Sequence, residues 1–362
     1  MLTGVERATY ELVQAVRLAW YGGQSRLSTR LSARIPAPPE LAAAMPSRAA
    51  LLASRRRLLE RELANLEGGY YRLPRGLLAN PLDALRRSIA YFADLGRVNE
   101  RLRNGADTAL TPSDGRRYPD YYLRAFHHQT DGYLSDRSAA LYDHQVEVLF
   151  GGVGDVMRRQ ALVPLHRYIA EGRRVSDLRL IDVACGTGEF LAEVKHNYPR
   201  LRVAGLDISP YYLAEARRRL AEWSRVSLVE AAVEHAELPA ESFDIATCIY
   251  LFHELPSALH GRVARAIARL LRPDGLLVFV DSLQLGDIPE FDALLRYFPI
   301  AFHEPFYAGY LKQDLERVFR SAGFELVSLE HAHFSRVMAL RKGAVGRRSP
   351  SRKSVVKPCM LS

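Results

Sequence analysis

The stretch from Leu178 to Asp207 limits what this chain can fold into more than any other. It opens Leu-Arg-Leu-Ile-Asp-Val-Ala-Cys-Gly-Thr-Gly-Glu-Phe-Leu and closes on Val-Ala-Gly-Leu-Asp. An apolar run from Leu178 to Ala184 breaks into a small-residue turn, Cys185-Gly186-Thr187-Gly188. A helical pattern follows from Glu189 to about Asn197, and a second apolar run, Leu201 to Leu206, ends on Asp207. Strand, glycine turn, helix and a strand tipped by a carboxylate make one βαβ unit. Glycines let a ligand lie against the backbone where a Cβ would collide. The helix beyond the turn offers unpaired N–H groups, and an acid at the tip of the next strand is placed to accept from two ribose hydroxyls. The unit is suited to a nucleoside-containing cofactor.

Which cofactor follows from what is missing. A dinucleotide turn needs a third glycine, Gly-x-Gly-x-x-Gly, and Leu191 stands in that place. No Gly-Lys-Ser/Thr follows the turn, which excludes a phosphate loop. There remains an acid inside the first strand, Asp182, ahead of Ala-Cys-Gly-Thr-Gly. This resembles motif I of the class I S-adenosylmethionine-dependent methyltransferases, Asp-x-Gly-x-Gly-x-Gly, with Ala184 in the first glycine place.

Three later stretches extend the resemblance, which covers about residues 120–340. Val233-Glu234-His235-Ala236-Glu237-Leu238-Pro239 is similar to the family's Asp-Ala-Glu-x-Leu-Pro loop. Tyr250-Leu-Phe-His-Glu-Leu-Pro corresponds to the segment after the fourth strand that lines the family's reaction centre. Leu-Arg-Pro-Asp-Gly, Leu271–Gly275, is a junction frequent before its fifth strand. The resemblance implies an α/β, Rossmann-like seven-stranded sheet in the order 3-2-1-4-5-7-6, and S-adenosyl-L-methionine as cofactor. It implies cofactor contacts from Asp182, Ala184, Cys185, Gly186, Gly188, Asp207 and Ile208, with Glu234 reaching the adenine amino group and His235 and Tyr250 beside them. Tyr142 and Arg158 are expected to join from upstream, Arg158 against the methionine carboxylate.

The rest of the chain reads as follows. Residues 1–23 predict a helix, with Val5, Leu12, Val13, Val16, Ala19 and Trp20 on one face, ending at Gly22-Gly23. Ser47 caps a helix over Arg48–Leu66 with Leu51, Leu52, Leu58, Leu59 and Leu63 inward and Arg55-Arg56-Arg57 outward. A third helix starts at Asn80-Pro81 and reaches about Arg103, with Leu85, Ile89, Phe92 and Leu95 as its apolar stripe. Helices without strands predict an N-terminal helical domain or cap over 1–105. Turn-rich residues 106–119 form a linker, and 120–341 the methyltransferase domain, opened by a lid-like segment at 120–150. Asp155 to about Glu171 reads as one helix, a helix capped by Ser209-Pro210 carries Arg217-Arg218-Arg219 mostly outward, and Arg272-Pro273-Asp274-Gly275 reads as a tight turn into a strand over Leu276–Val280. Residues 342–362, basic and serine-rich, read as a disordered tail.

Composition narrows the function classes. The formal charge is +9, yet its distribution argues against a nucleic-acid partner. Residues 1–117 hold nineteen basic and eleven acidic residues, and 341–362 hold seven basic and no acid, while 118–340 carry a net −6. Arginine outnumbers lysine 45 to 5 throughout, a skew that reads as base composition rather than phosphate recognition. No run of eighteen apolar residues suits a membrane span. The N-terminus lacks a secretory pattern, and Cys185, Cys248 and Cys359 have no metal-like spacing, so a cytoplasmic protein without a metal is expected.

Aromatic residues in the lid-like segment and over 282–310 suit an enclosed apolar pocket for a small-molecule acceptor. His127, His128, Tyr133, His303 and Tyr307 are the expected substrate-lining residues. Methyl transfer from a sulfonium needs alignment above all, and a base only where the acceptor must lose a proton. His253 and Glu254 are the expected catalytic pair. The reading is therefore methyl transfer from S-adenosylmethionine to O, C or N of a small apolar or aromatic metabolite. Two alternatives stand beside it: an RNA or protein methyltransferase docking through the basic flanks, and a non-catalytic interaction protein on the same fold. The oligomeric state has no signal in the sequence.

Overall fold

The computed structural model describes residues 2–33, 35–75, 80–104, 110, 112, 115–116, 118–124, 126 and 131–343. His127, His128, most of the 106–119 linker and all but two residues of the 342–362 tail lie outside them.

One seven-stranded sheet orders the molecule. β1 (Arg179–Val183), β2 (Arg202–Asp207), β3 (Val226–Glu230), β4 (Phe243–Ile249) and β5 (Leu271–Ser282) run parallel. β7 (Ser335–Lys342) lies antiparallel between β5 and β6 (Phe324–Ala332), giving the order 3-2-1-4-5-7-6. That is the class I methyltransferase order. Parallel neighbours need crossovers, so both faces carry helices and the strands are apolar on both sides. Along β5, Leu276, Val278 and Val280 enter one buried cluster while Leu277 and Phe279 enter the other, as the two-residue period of a strand demands.

The chain begins with α1 (Gly4–Leu31), α2 (Pro39–Ala43), α3 (Arg48–Glu67) and α4 (Pro81–Asn104). α5 (Asp136–Leu149), α6 (Gly154–Arg159) and α7 (Leu162–Ala170) follow. α8 (Glu189–Asn197) and α9 (Pro210–Arg219) complete the first face of the sheet. Tyr10 of α1 and Leu58 and Leu66 of α3 share a buried cluster with Leu180 of β1 and Leu191 of α8. The second face is covered by α10 (Ser257–Leu270), α11 (Asp292–Phe302), α12 (Tyr307–Tyr310) and α13 (Leu315–Ser321).

Several local expectations change. α1 does not stop at Gly22-Gly23 but runs through both, at a cost of about 1 kcal/mol per glycine relative to alanine. Its inward face is polar: Tyr10, Gln14 and Gln24 are buried, whereas Val5, Leu12, Val16 and Trp20 are exposed. Hydrogen bonds choose that face. Gln14 Nε2 donates to Gly152 O at 3.3 Å, and Gln24 Oε1 meets His144 Nε2 at 2.9 Å. In α4, Leu85 and Ile89 are exposed while Ser88, Asp94 and Leu95 are buried, Asp94 paired with Arg137. Leu52 of α3 is likewise exposed, and the buried positions of that helix are Ser54, Leu58, Glu62 and Leu66.

The helix expected over 155–171 is two, α6 and α7, broken at Gln160-Ala161. Pro164 has no N–H to return to Gln160, which removes the bond that would continue the first helix. Arg272–Gly275 lies inside β5 as a bulge, with Asp274 at φ 62° and the register shifting between Phe243 and Ile245.

Candidate functional site

β1, β2 and β4 end on the same edge of the sheet, and the loops beyond them enclose one pocket. Past β1 the backbone takes three left-handed steps, Ala184 at φ 56°, Gly186 at 53° and Gly188 at 75°. Glycine accepts such values freely and alanine does not, so Ala184 holds the turn at a cost. Gly188 also permits close packing, since a Cβ there would stand 3.0 Å from Ala216 Cβ. Ala184, Cys185, Gly186 and Thr187 all line the pocket.

Two carboxylates flank this turn. Asp207, at the tip of β2, accepts from Gly186 N and Ser209 N, each at 2.8 Å, and lines the pocket with Ile208. Burial pushes its carboxyl up to about 6, against the opposing pull of the Ser209, Gly186 and Ile208 N–H groups. Asp182 lies inside β1, buried, and accepts from Thr247 Oγ1 at 2.5 Å. Burial raises it to about 7, the Thr247 hydroxyl working the other way. A third carboxylate, Glu234, lines the pocket beyond β3 and accepts from Tyr121 Oη at 2.7 Å. His235 is exposed and outside the lining.

The opposite wall comes from α5, α6 and the segment after β4. Tyr142, Arg158, Tyr250 and Tyr133 line it with Glu254. Arg158 Nη1 donates to Asp155 Oδ1 at 2.8 Å, and Asp155 also binds Arg17 of α1 at 3.1 Å. Tyr133 Oη donates to Glu254 Oε1 at 2.5 Å. Burial raises Glu254 to about 7, with the cationic His253 resisting the shift.

His253 stands behind Glu254 rather than in the lining, its Nε2 3.9 Å from Glu254 Oε1. Its Nδ1 meets Asp281 Oδ1 at 2.6 Å. Burial alone would lower the imidazole, yet the charge and hydrogen bond of Asp281 outweigh it and raise it to about 9. It is an imidazolium at neutral pH. Tyr307 is also one layer back, its hydroxyl bonded to Ser282 Oγ and its ring 5.9 Å from that of His253. His303 is the left-handed cap of α11 and does not line the pocket.

Sequence reasoning missed Asp281, Arg219 and the partners of Arg219. Asp281 ends an apolar strand as Asp207 does, and that shared signal marks it. Arg219 turns inward out of the expected outward run. It donates to Thr187 Oγ1 and Asp143 Oδ2 at 2.7 Å and pairs with Glu189 at 3.0 Å. Thr187 Oγ1 in turn donates to Asp143 Oδ2 at 2.9 Å, which ties α5 to the glycine turn.

Residues 180–275 match a family model described as a methyltransferase domain. The demethylmenaquinone methyltransferase of Deinococcus radiodurans is 32% identical over 144 residues, 40% of this chain and 56% of that protein. The ubiquinone/menaquinone biosynthesis C-methyltransferase of Syntrophotalea carbinolica is 30% identical over 153 residues, 42% of this chain and 60% of that one. The chain thus spans 56% and 60% of the length of these two curated relatives. Among solved structures, the Burkholderia thailandensis 1,6-didemethyltoxoflavin-N1-methyltransferase aligns at 22% identity with a TM-score of 0.39, over 52% of this chain and 79% of that one.

Proposed function

We propose that this chain, a member of the class I S-adenosylmethionine-dependent methyltransferase family, moves the methyl group of that cofactor to O, C or N of a small apolar or aromatic metabolite. One observation carries the reading: the glycine turn, Asp207 and Glu234 converge on one pocket. Asp207 lines the pocket with acceptor capacity left for a ribose hydroxyl, and Glu234 suits the adenine amino group. The Arg158 guanidinium suits a carboxylate at the other end. The donor set therefore fits S-adenosylmethionine, which when bound supplies an electrophilic methyl on a sulfonium.

The chain's own residues supply alignment and a proton acceptor. Positioning two reactants is worth about 7–11 kcal/mol in favourable cases. Tyr133 and Tyr142 wall the pocket against water, and the hydroxyl of Tyr133 orients Glu254. Glu254, raised toward neutrality, takes the proton that a hydroxyl or activated carbon acceptor must lose. Asp281 holds His253 charged behind it, which keeps Glu254 ionisable near pH 7. The quinone names of the two curated relatives support an aromatic acceptor.

Calorimetry with S-adenosylhomocysteine tests the cofactor, and methyl-labelled S-adenosylmethionine incubated with cell extract tests the acceptor. Binding with label entering small molecules supports the reading. Absence of binding overturns it, and label confined to RNA or protein overturns the acceptor class.

A further inference from the structure

A second cavity, of about 380 Å³, adjoins the cofactor pocket and shares one wall with it, the side chain of Tyr142. It lies between α1, α4, α5 and α11, elements that the family model does not reach. Ligand sites run from about 300 to 1,000 Å³, and this half-open recess falls within that range. A recess of this size has room for a small ligand.

Its lining has two sides. Ser25, Ser28 and Thr29 stand at i, i+3 and i+4 of α1 and Ser32 caps its end, so hydroxyls line this side. Ser28 Oγ is 2.7 Å from Tyr91 Oη across that row. The facing wall is apolar, built from Leu95 and Val98 of α4, Val146 and Leu149 of α5, and Ala301 and Phe302 of α11. Among the described lining residues the charged one is Asp94, which is paired with Arg137. Tyr297 Oη donates to Ile35 O at 2.5 Å and fastens α11 to the loop that follows α1. A polar edge facing an apolar wall, with no unpaired charge among the described lining residues, suits an uncharged molecule.

We infer that this cavity is the acceptor site: it holds an elongated, neutral aromatic or apolar molecule bearing hydroxyl or carbonyl groups along one edge, and delivers its reactive end past Tyr142 to the methyl donor. The inference rests on the methyl-transfer reading above. It also gives α1 and α4 a task, since they form the acceptor's walls.

Val98→Phe and Ala301→Phe fill the cavity from two different helices, and neither position lines the cofactor pocket. The probe is prodan, a neutral elongated naphthalene ketone whose emission shifts to the blue on leaving water. In the full-length chain, both variants bind S-adenosylhomocysteine with unchanged affinity by calorimetry, which also shows that they fold. Prodan affinity falls at least tenfold in both, and label transfer into a solvent extract of cells falls by a similar factor. Unchanged prodan affinity in both variants overturns the site, as it would place the probe on the exposed face of α1. Reduced prodan binding with undiminished transfer overturns its role as acceptor site. If the unsubstituted chain fails to bind S-adenosylhomocysteine, the methyl-transfer reading falls instead.

Discussion

Leu191 Cδ1 lies 3.0 Å from the point where a side-chain carbon on Gly205 would stand, and Cys185 Sγ lies 2.7 Å from the same point. The close approach of helix to strand that a dinucleotide turn obtains from its third glycine is obtained here from the strand side. Gly205 in β2 makes the room that Leu191 of α8 and Cys185 of the turn fill. Gly205→Ala would force Cys185, Leu191 and Leu228 apart in a close-packed cluster. Overpacking of this kind costs typically 1–3 kcal/mol. The expected result is a lower midpoint in urea with an unchanged slope.

Asp182 couples the fold to pH. Its carboxyl is raised by burial to about 7 against an ordinary value of 3.8. A raised carboxyl binds its proton more tightly when folded, so its contribution is full below about pH 4 and is lost as pH rises to about 7. Three units at about 1.4 kcal/mol each bound the loss at roughly 4 kcal/mol. Asp182→Asn keeps an oxygen for Thr247 and removes the titration. Urea melts across pH 4–7.5 are expected to lose a falling component in the variant. An identical pH dependence in both proteins would sink the assignment.

The sheet and the cofactor turn were legible because their signals are local. The apolar run, the glycines and Asp207 sit within thirty residues, and the strand order follows once the family pattern is met. The inward faces of α1 and α4 were not legible. Gln14 is held by Gly152 and Asp94 by Arg137, partners far along the chain that make polar residues the buried ones. The apolar period alone pointed to Leu12 and Ile89, which face water. The relation of His253 to Glu254 was hidden for the same reason, because Asp281, 28 residues on, fixes the charge of the imidazole.

That pair predicts a pH profile. A general base works deprotonated, so the methyl-transfer rate to a hydroxyl or carbon acceptor rises with pH through about 7, where Glu254 titrates. Glu254→Gln is expected to remove this limb and lower kcat by about 10²–10⁴, with little change in S-adenosylhomocysteine affinity. His253→Asn takes away the neighbouring positive charge and moves the limb to higher pH. A limb left in place would show that His253 is merely packed.

Asp207 serves two ends at once, since it accepts backbone N–H groups on both oxygens and also lines the pocket. Asp207→Ala therefore removes the proposed ribose acceptor and also releases Gly186 N from its anchor. Hydrogen bonds to a charged group are worth about 1.5–3 kcal/mol, so S-adenosylhomocysteine affinity is expected to fall roughly 10- to 100-fold by calorimetry. Asp207→Asn keeps one carbonyl oxygen for these N–H groups, and a smaller loss is expected. Equal losses in the two variants would assign the effect to the ribose contact alone. Unchanged affinity in both would remove Asp207 from the cofactor site and, with it, the strongest residue-level support for the nucleoside end of the pocket.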